Sequence, residues 1–156
     1  MTEQEFSQLV SAHKSTIYTV CYMFSKDEDE VNDLFQEVLI NLWRGIDTFK
    51  GEAKLNSWIY RISLNTCISA ERKKKRQPQT ERLDMSINLY EDNDTDSRQI
   101  QMLYKRVHQL RPFARALVLL WLEGLPYDEI GAITGITAKN VSVRLVRIRE
   151  ELKHMK

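Results

Sequence analysis

Apolar side chains recur at steps of three and four residues along most of the chain, which is the repeat of an amphipathic α-helix. The first stripe joins Phe6, Leu9, His13, Ile17, Val20 and Phe24, and the second joins Val31, Leu34, Val38 and Leu42. Glycine occurs 5 times and proline 3 times in 156 residues, so few positions interrupt these helices. No stretch sustains the alternation of apolar and polar residues that marks a strand. The sequence therefore predicts an all-α fold.

A polar, acidic stretch divides the helical pattern into two parts. It contains Pro78 and the run EDNDTD at 91–96, and it has the composition of a linker. We therefore predict two small helical domains, a bundle at 1–77 and a second domain at 101–156, joined by a flexible linker at 78–100. The second domain is close to the size below which a core rarely supports folding alone.

Capping and breaking residues predict where the helices of the first domain begin and end. We expect helices at 6–24, 29–43 and 57–76, with a loop at 49–56. Asp27 or Asp29 would cap the second helix. Gly45 would close that helix, and Ser57 would cap the third.

Charge is strongly segregated along the chain, although the net charge is only +1. Residues 1–50 carry a net charge of −5, 51–77 of +5, 78–100 of −4 and 101–156 of +5. Two separate basic blocks favour two contacts with a nucleic acid, and the acidic first block suits a basic protein surface. The alternative is that these blocks are ordinary solvated faces.

The second domain ends in the pattern of a helix-turn-helix. Its helical period resumes near Ile100, and Pro112 is suited to begin the next helix. Pro126 is expected at the first position of a later helix, which Gly135 would end in a tight turn. Thr137 would then cap the last helix of the domain.

The last helix has one apolar and one polar side. Val141, Leu145, Ile148 and Leu152 form the apolar side. The other side carries Lys139, Asn140, Val143 and Arg147, with Arg144 at its edge. Such a face can enter a major groove and reach phosphates and base edges. The alternative is an ordinary helical hairpin with a solvated basic face.

The third helix carries a polar stripe that becomes basic toward its end. The stripe joins Arg61, Asn65, Ser69, Arg72 and Arg76, and the last two bound the run RKKKR. Basic residues near the aromatic Phe49, Trp58 and Tyr60 are typical of surfaces that bind single-stranded or melting DNA. Trp58 is nevertheless expected to belong to the core, and the basic run could simply favour the helix dipole.

The second helix carries an acidic face formed by Asp29, Asp33 and Glu37 at steps of four. The sequence favours docking of this face on a basic protein surface. A metal-dependent nuclease is the alternative, but no histidine or second carboxylate cluster accompanies these residues.

The two cysteines, Cys21 and Cys67, lie far apart in sequence and form no CxxC motif, so we predict neither a zinc site nor a disulfide. No apolar run reaches the length of a membrane span, and the N-terminus lacks a signal-peptide pattern. We expect a cytoplasmic protein that has no cofactor and does not insert in a membrane.

These motifs together resemble the extracytoplasmic-function sigma factors of bacterial RNA polymerase. The stretch 33–43 is similar to the family's helix that docks on the polymerase clamp. Phe49-Lys50-Gly51, the segment 58–62 and Asn65 match the part that reads the promoter −10 element. The segment 125–130 and Gly135-Ile136 resemble the lead into the helix that reads the −35 element.

The resemblance implies a role for particular residues. Polymerase binding would fall to Asp33, Gln36 and Glu37. Binding of the −10 element would fall to Phe49, Lys50, Gly51, Asn56, Arg61, Asn65, Arg72 and Arg76. Binding of the −35 element would fall to Lys139, Asn140, Ser142, Val143, Arg144 and Arg147.

Two positions depart from the family's pattern. Many relatives carry a basic residue before a Ser-Arg pair in the recognition helix, where this chain has the segment VSVR at 141–144. We expect the small apolar Val143 to contact a thymine methyl instead. Gly131 replaces the more usual alanine, with little consequence expected.

The resemblance also implies the function. The chain would be a transcription initiation factor with no catalytic activity, directing core RNA polymerase to promoter DNA and helping to melt it. An anti-sigma factor is an expected regulatory partner. The first alternative is a free-standing helix-turn-helix regulator, which would need a dimer interface; the second is the nuclease named above.

Overall fold

The computed structural model describes residues 1–49, 54–76 and 95–155. These residues form seven α-helices and no strand, which confirms the all-α prediction. The helices are α1 (Glu3–Met23), α2 (Glu28–Gly45), α3 (Leu55–Arg76), α4 (Thr95–His108), α5 (Pro112–Leu122), α6 (Tyr127–Thr134) and α7 (Ala138–Lys153). The chain divides into two units, Met1–Ser86 and Ile87–Lys156. No helix within the described ranges is long and apolar enough to cross a membrane.

Side-chain caps fix the start of the first two helices. The Glu5 amide donates to Thr2 Oγ1 (3.1 Å), and the Thr2 amide donates to Glu5 Oε2 (3.4 Å), so that α1 begins in a capping box. The Glu30 amide donates to Asp27 Oδ1 (2.8 Å), which makes Asp27 the cap of α2. The sequence alone allows either Asp27 or Asp29 in this position.

One predicted boundary in the first unit is confirmed and one is wrong. The helix α2 ends at Gly45 as predicted, although Gly45 has φ −93° and the chain continues directly into a 3₁₀ turn at Ile46–Thr48. The third helix begins at Leu55, because the Trp58 amide already donates to the Lys54 carbonyl (3.0 Å). Asn56 and Ser57 therefore lie within the first turn of α3, and Ser57 is not its N-cap.

The first unit is a bundle in which α1, α2 and α3 each contact the other two. Its core contains Ile17, Val20, Val38, Leu42, Ile59 and Leu64, which come from the predicted helices. Cys21 and Cys67 are both buried and both free, and their thiols lie within hydrogen-bonding range of each other. Asn41 Nδ2 also donates to Thr66 Oγ1 (2.9 Å), which ties α2 to α3.

The second unit is built around α5, which contacts α4, α6 and α7. Residues 115–120 of α5 are all buried. Pro112 occupies the start of α5 as predicted, and Gly124 follows the helix at φ 82°. Pro126 is the N-cap of α6, one position before the helical position predicted for it. The predicted linker lies largely outside the described residues, but its last positions, 95–100, belong to α4.

Arg115 is buried among the apolar residues of α5, with 4% of its surface exposed. Its Nη2 donates to the carbonyls of His108 (2.8 Å) and Leu110 (2.8 Å), and its Nε donates to that of Val107 (3.3 Å). These carbonyls belong to the end of α4 and the turn after it. The guanidinium therefore donates to carbonyl groups at the helix end, where backbone partners run out, although the Val107 carbonyl also accepts from the Leu110 amide (3.0 Å).

Candidate nucleic-acid and protein interfaces

The turn between α6 and α7 is closed by its own backbone. Gly135 adopts φ 84°, a left-handed conformation that favours glycine. The amides of Gly135 (2.8 Å) and Ile136 (3.2 Å) both donate to the Gly131 carbonyl. Thr137 then caps α7, because its Oγ1 accepts from the Asn140 amide (3.1 Å). The turn and the cap both follow the prediction from sequence.

Gly131 has a larger role than the sequence suggests. A Cβ atom at this position would lie 2.5 Å from the Ile136 carbonyl oxygen and 3.4 Å from the Ala138 nitrogen. The first distance is far inside van der Waals contact, and the obstacle is backbone rather than a movable side chain. The turn and the start of α7 therefore pack directly on the Cα of Gly131.

The helix α7 turns its apolar side inward and its polar side to solvent. Val141, Leu145 and Ile148 are buried. The exposed candidate residues are Lys139, Asn140, Val143, Arg144 and Arg147, and Ser142 is half-buried. The structure thus brings the six predicted −35 residues onto one helix, with Ser142 partly turned toward the protein.

Two arginines of α7 lie over aromatic rings of α5. Arg144 Cζ is 5.2 Å from the centre of the Phe113 ring, and Arg149 Cζ is 5.0 Å from that of Trp121. Both distances are within the range of cation–π attraction. Arg144 is therefore held toward α5 at the edge of the exposed face.

The polar stripe of α3 is exposed where the structure describes its side chains. Arg61, Asn65, Ser69 and Arg72 all face solvent, within an arc of about 80° at 100° per residue. Arg76 is the last residue of the helix. Asn56 is exposed too, but the helical repeat places it on the opposite side of α3 from Asn65. Lys50 and Gly51 lie outside the described residues.

The aromatic residues beside α3 contact each other. The rings of Phe49 and Trp58 are tilted against each other with 5.2 Å between their centres, and both side chains are half-buried. Tyr60 is buried. Phe49 thus holds the end of the preceding turn against α3, and Trp58 lies between core and solvent.

The acidic face of α2 continues into apolar side chains. Asp33, Gln36 and Glu37 are exposed, and so are Ile40 and Trp43 further along the helix. The Trp43 ring meets the Phe6 ring of α1 edge-on, with 5.0 Å between centres. The stretch 33–43 that resembles the clamp-docking helix includes Trp43, but the residues predicted to bind polymerase are Asp33, Gln36 and Glu37. We call the five α2 residues the α2 docking surface.

Among the described residues, no group of three or more His, Cys, Asp or Glu side chains could hold a metal ion. Asp29, Asp33 and Glu37 are spread along two turns of α2 and do not converge on a point. The geometry gives the nuclease alternative no support.

Comparisons with known proteins agree with this arrangement of helices. The family description Sigma-70 region 2 matches residues 9–77, and Sigma-70, region 4 matches residues 100–152. The chain is 28% identical to the ECF RNA polymerase sigma factor SigW of Bacillus subtilis, over 97% of this chain and 88% of that protein. It is 26% identical to the ECF RNA polymerase sigma-E factor of Escherichia coli K12, over 96% and 85% of the two chains.

Solved structures show the same fold. The sigma factor RpoE of Bartonella quintana, solved with the anti-sigma factor NepR, has a TM-score of 0.75 at 23% identity, covering 96% of this chain and 95% of that one. CnrH, solved with the cytosolic domain of CnrY, has a TM-score of 0.69 at 22% identity, covering 97% and 87%.

The two matched regions, in this order and over most of the chain, define a sigma factor of bacterial RNA polymerase. The chain belongs to the sigma-70 family, in its extracytoplasmic-function (ECF) group. It is a transcription initiation factor that directs RNA polymerase to promoters, and a free-standing regulator is not favoured.

Proposed function

We propose that this sigma factor uses three surfaces. The polar stripe of α3 binds the −10 element, the exposed face of α7 binds the −35 element, and the α2 docking surface binds core RNA polymerase. The observation that supports this division is the exposure of all three candidate faces on helices that fall within the two matched regions.

The −10 contact combines a base site with a phosphate grip. Asn65 and the segment around Phe49 would receive a base that leaves the stack of the melting duplex. Flipping a base costs a few kcal/mol of stacking energy, which a fitted pocket offsets. Arg61, Arg72 and Arg76 would hold the phosphates on the same side of α3. Lys50, Gly51 and Asn56, which lie between Phe49 and Arg61 in the sequence, are further candidates for binding the −10 element.

The −35 contact places α7 in the major groove. Lys139, Asn140 and Arg147 can reach base edges or phosphates from the exposed face. Ser142 and Arg144 lie at its borders and are suited to the DNA backbone. Thr137 and the tight turn hold the start of this helix in place.

The polymerase contact joins charge with apolar surface. Asp33, Gln36 and Glu37 supply a polar patch that would complement a basic protein surface, and Ile40 and Trp43 supply apolar area beside it. An exposed tryptophan within a polar rim is typical of residues that dominate a protein interface.

The two DNA contacts act together once the polymerase holds the protein. Two modest contacts on one scaffold raise the effective concentration for the second contact after the first has formed. The near-neutral net charge of +1 gives little general attraction to DNA, so the free protein should bind promoters weakly. In this proposal the protein works in the cytoplasm and supplies binding surfaces rather than catalytic groups.

An anti-sigma factor is the proposed regulatory partner. Two structures of the same fold were solved in complex with other proteins, the anti-sigma factor NepR and the cytosolic domain of CnrY. We propose that an anti-sigma factor holds the present chain until a signal releases it.

Substitutions in α3 and α7 test whether these two helices bind different promoter elements. Run-off transcription with core polymerase on a library randomised at both elements should show that Asn65→Ala changes the −10 preference. Arg147→Ala should change the −35 preference, with a cost of about 1–3 kcal/mol if it contacts a base. Ser7→Ala, an exposed change on α1, is the control and should change neither. If Asn65→Ala changed the sequence preference at the −35 element and not at the −10 element, that result would contradict the proposal.

A further inference from the structure

The exposed face of α7 carries two apolar side chains among its charged ones. At 100° per residue, Val143 lies opposite the midpoint of the buried Val141, Leu145 and Ile148. Val146 lies on one side of the centre of this face, at the same angular distance as Arg147 on the other. The two valines are therefore neighbours on the part of the helix that points farthest from the core.

Both valines are strongly exposed. Val143 exposes 42% of its surface and Val146 exposes 58%, the largest fraction among the large apolar side chains that the structure describes as exposed. Neither valine contributes to the core of the second unit. An exposed apolar pair on a polar helix face is available to an apolar group of a binding partner.

The two valines share the exposed face with Lys139, Arg147 and the exposed carboxylate of Glu150. Lys139 and Arg147 lie on either side of Val143, one helical turn before and after it. Arg144 is held over Phe113 at the edge of the face. A matching ligand presents anionic groups to Lys139 and Arg147 and an apolar group to the two valines.

The DNA major groove offers that combination where it contains methylated pyrimidines. Phosphates line both edges, and the C5 methyl group of thymine is the apolar group that a base presents in the groove. We infer that Val143 and Val146 form a methyl-reading pair, so that thymines on either strand of the −35 element are part of the promoter preference. This inference rests on the proposed role of α7 and adds Val146 to its DNA-contacting residues.

Removal of single methyl groups from DNA tests the inference. The promoter that the library selects is prepared with each −35 thymine replaced by uracil, which deletes the methyl group and leaves the hydrogen-bonding groups unchanged. Binding of the full holoenzyme is measured by competition. We expect a loss of about three- to fivefold for each contacted methyl, the value for burying one such group. Replacement of a contacting thymine by cytosine should cost more than replacement by 5-methylcytosine.

Protein variants link the effect to the valines. Uracil substitution should cost little or no binding in Val143→Ala at the thymine that Val143 contacts. The same should hold for Val146→Ala at the thymine that Val146 contacts. Both side chains are exposed, so these variants are expected to fold. Leu122→Ala removes another exposed apolar side chain of the same unit and should leave the full uracil effect.

The outcomes separate the inference from the proposed function. Binding that depends on the −35 sequence but ignores uracil at every −35 thymine would overturn the methyl-reading pair and leave the role of α7 intact. A selected −35 element that contains no thymine on either strand would overturn the pair in the same way. Binding that is indifferent to the −35 sequence would instead overturn the role of α7 itself.

Discussion

Lys74 Nζ near the end of α3 lies 2.6 Å from Glu30 Oε1 in the first turn of α2. The basic run at 72–76 is therefore not a uniform patch. Arg72 belongs to the exposed polar stripe of α3, while Lys74 lies on the side of the helix that meets α2. Lys74 thus links α3 to α2, whereas Arg72 is exposed to solvent.

Replacement of each residue should separate these roles. Arg72→Ala should weaken holoenzyme binding to promoters of any sequence and lower the salt dependence by about one phosphate contact. Lys74→Ala should leave promoter binding unchanged and lower the free energy of unfolding by up to about 1 kcal/mol, the value for a partly exposed ion pair. Salt-titrated binding and urea unfolding of both variants measure the difference. Equal loss of DNA binding in both would refute the distinction.

Binding of core polymerase by the α2 docking surface should depend on the charge of that surface. Glu37→Lys reverses the charge of an exposed side chain, so it should reduce retention of the protein on immobilised core polymerase by about tenfold or more, through like-charge repulsion in the interface. The fold should persist, as circular dichroism would show. Glu3→Lys makes the same charge change on α1 and is the matched control. Retention that is unaffected by Glu37→Lys would assign another purpose to this face.

A methyl group at Gly131 should disturb the turn before α7. Gly131→Ala places a Cβ against the Ile136 carbonyl, and we expect a loss of about 1–3 kcal/mol in the free energy of unfolding. Transcription that depends on the −35 element should fall in parallel. Gly45→Ala is the control, because its Cβ would meet Trp58 at an ordinary 3.4 Å and a helical alanine is favourable. An unchanged unfolding midpoint for Gly131→Ala would show that the turn has room to yield.

The buried thiols should be unreactive in the folded protein. The hydrogen bond with Cys21, followed by burial, raises the pKa of Cys67 well above its ordinary value, so the reactive thiolate does not form near neutral pH. Ellman's reagent at a pH of about 8, close to the ordinary thiol pKa, should label neither cysteine until urea unfolds the bundle. Rapid labelling without denaturant would contradict this burial.

The same shift has a consequence for stability. The unfolded chain releases the Cys67 proton above a pH of about 8.5, whereas the folded chain retains it. The stability is therefore complete below that pH and falls above it, by about 1.4 kcal/mol per pH unit for one such group. Urea unfolding across a pH range of about 8 to 10, which brackets the ordinary thiol pKa, measures the slope, and Cys67→Ala should reduce it.

The helices can be predicted from the sequence because each buried stripe is a local, periodic pattern of apolar residues. Gly135 and Thr137 are predictable for the same reason, since a left-handed turn and a cap need particular residues. The start of α3 is not, because Asn56 and Ser57 have cap-forming side chains that the structure uses inside the helix. The start of α3 is set instead by the backbone hydrogen bond from the Trp58 amide to the Lys54 carbonyl.

Other features depend on distant contacts and leave no local pattern. Arg115 lies among apolar residues in the sequence. Only the fold shows that its guanidinium donates hydrogen bonds to carbonyls at the end of α4 and in the turn after it. The importance of Gly131 depends on how closely the turn returns to α6. Among the candidate site residues, periodicity is enough to predict the exposure of Asn65 and Arg147. The position of Arg144 over Phe113 requires the packing of α5 on α7.

The central claim is that this protein confers promoter-specific initiation on core RNA polymerase. The most direct test is run-off transcription by core polymerase on a promoter library, with and without the purified protein. We predict that addition of the protein produces transcripts from a subset of templates that share sequences at the −10 and −35 positions. Transcript levels that are the same with and without the protein would contradict the account.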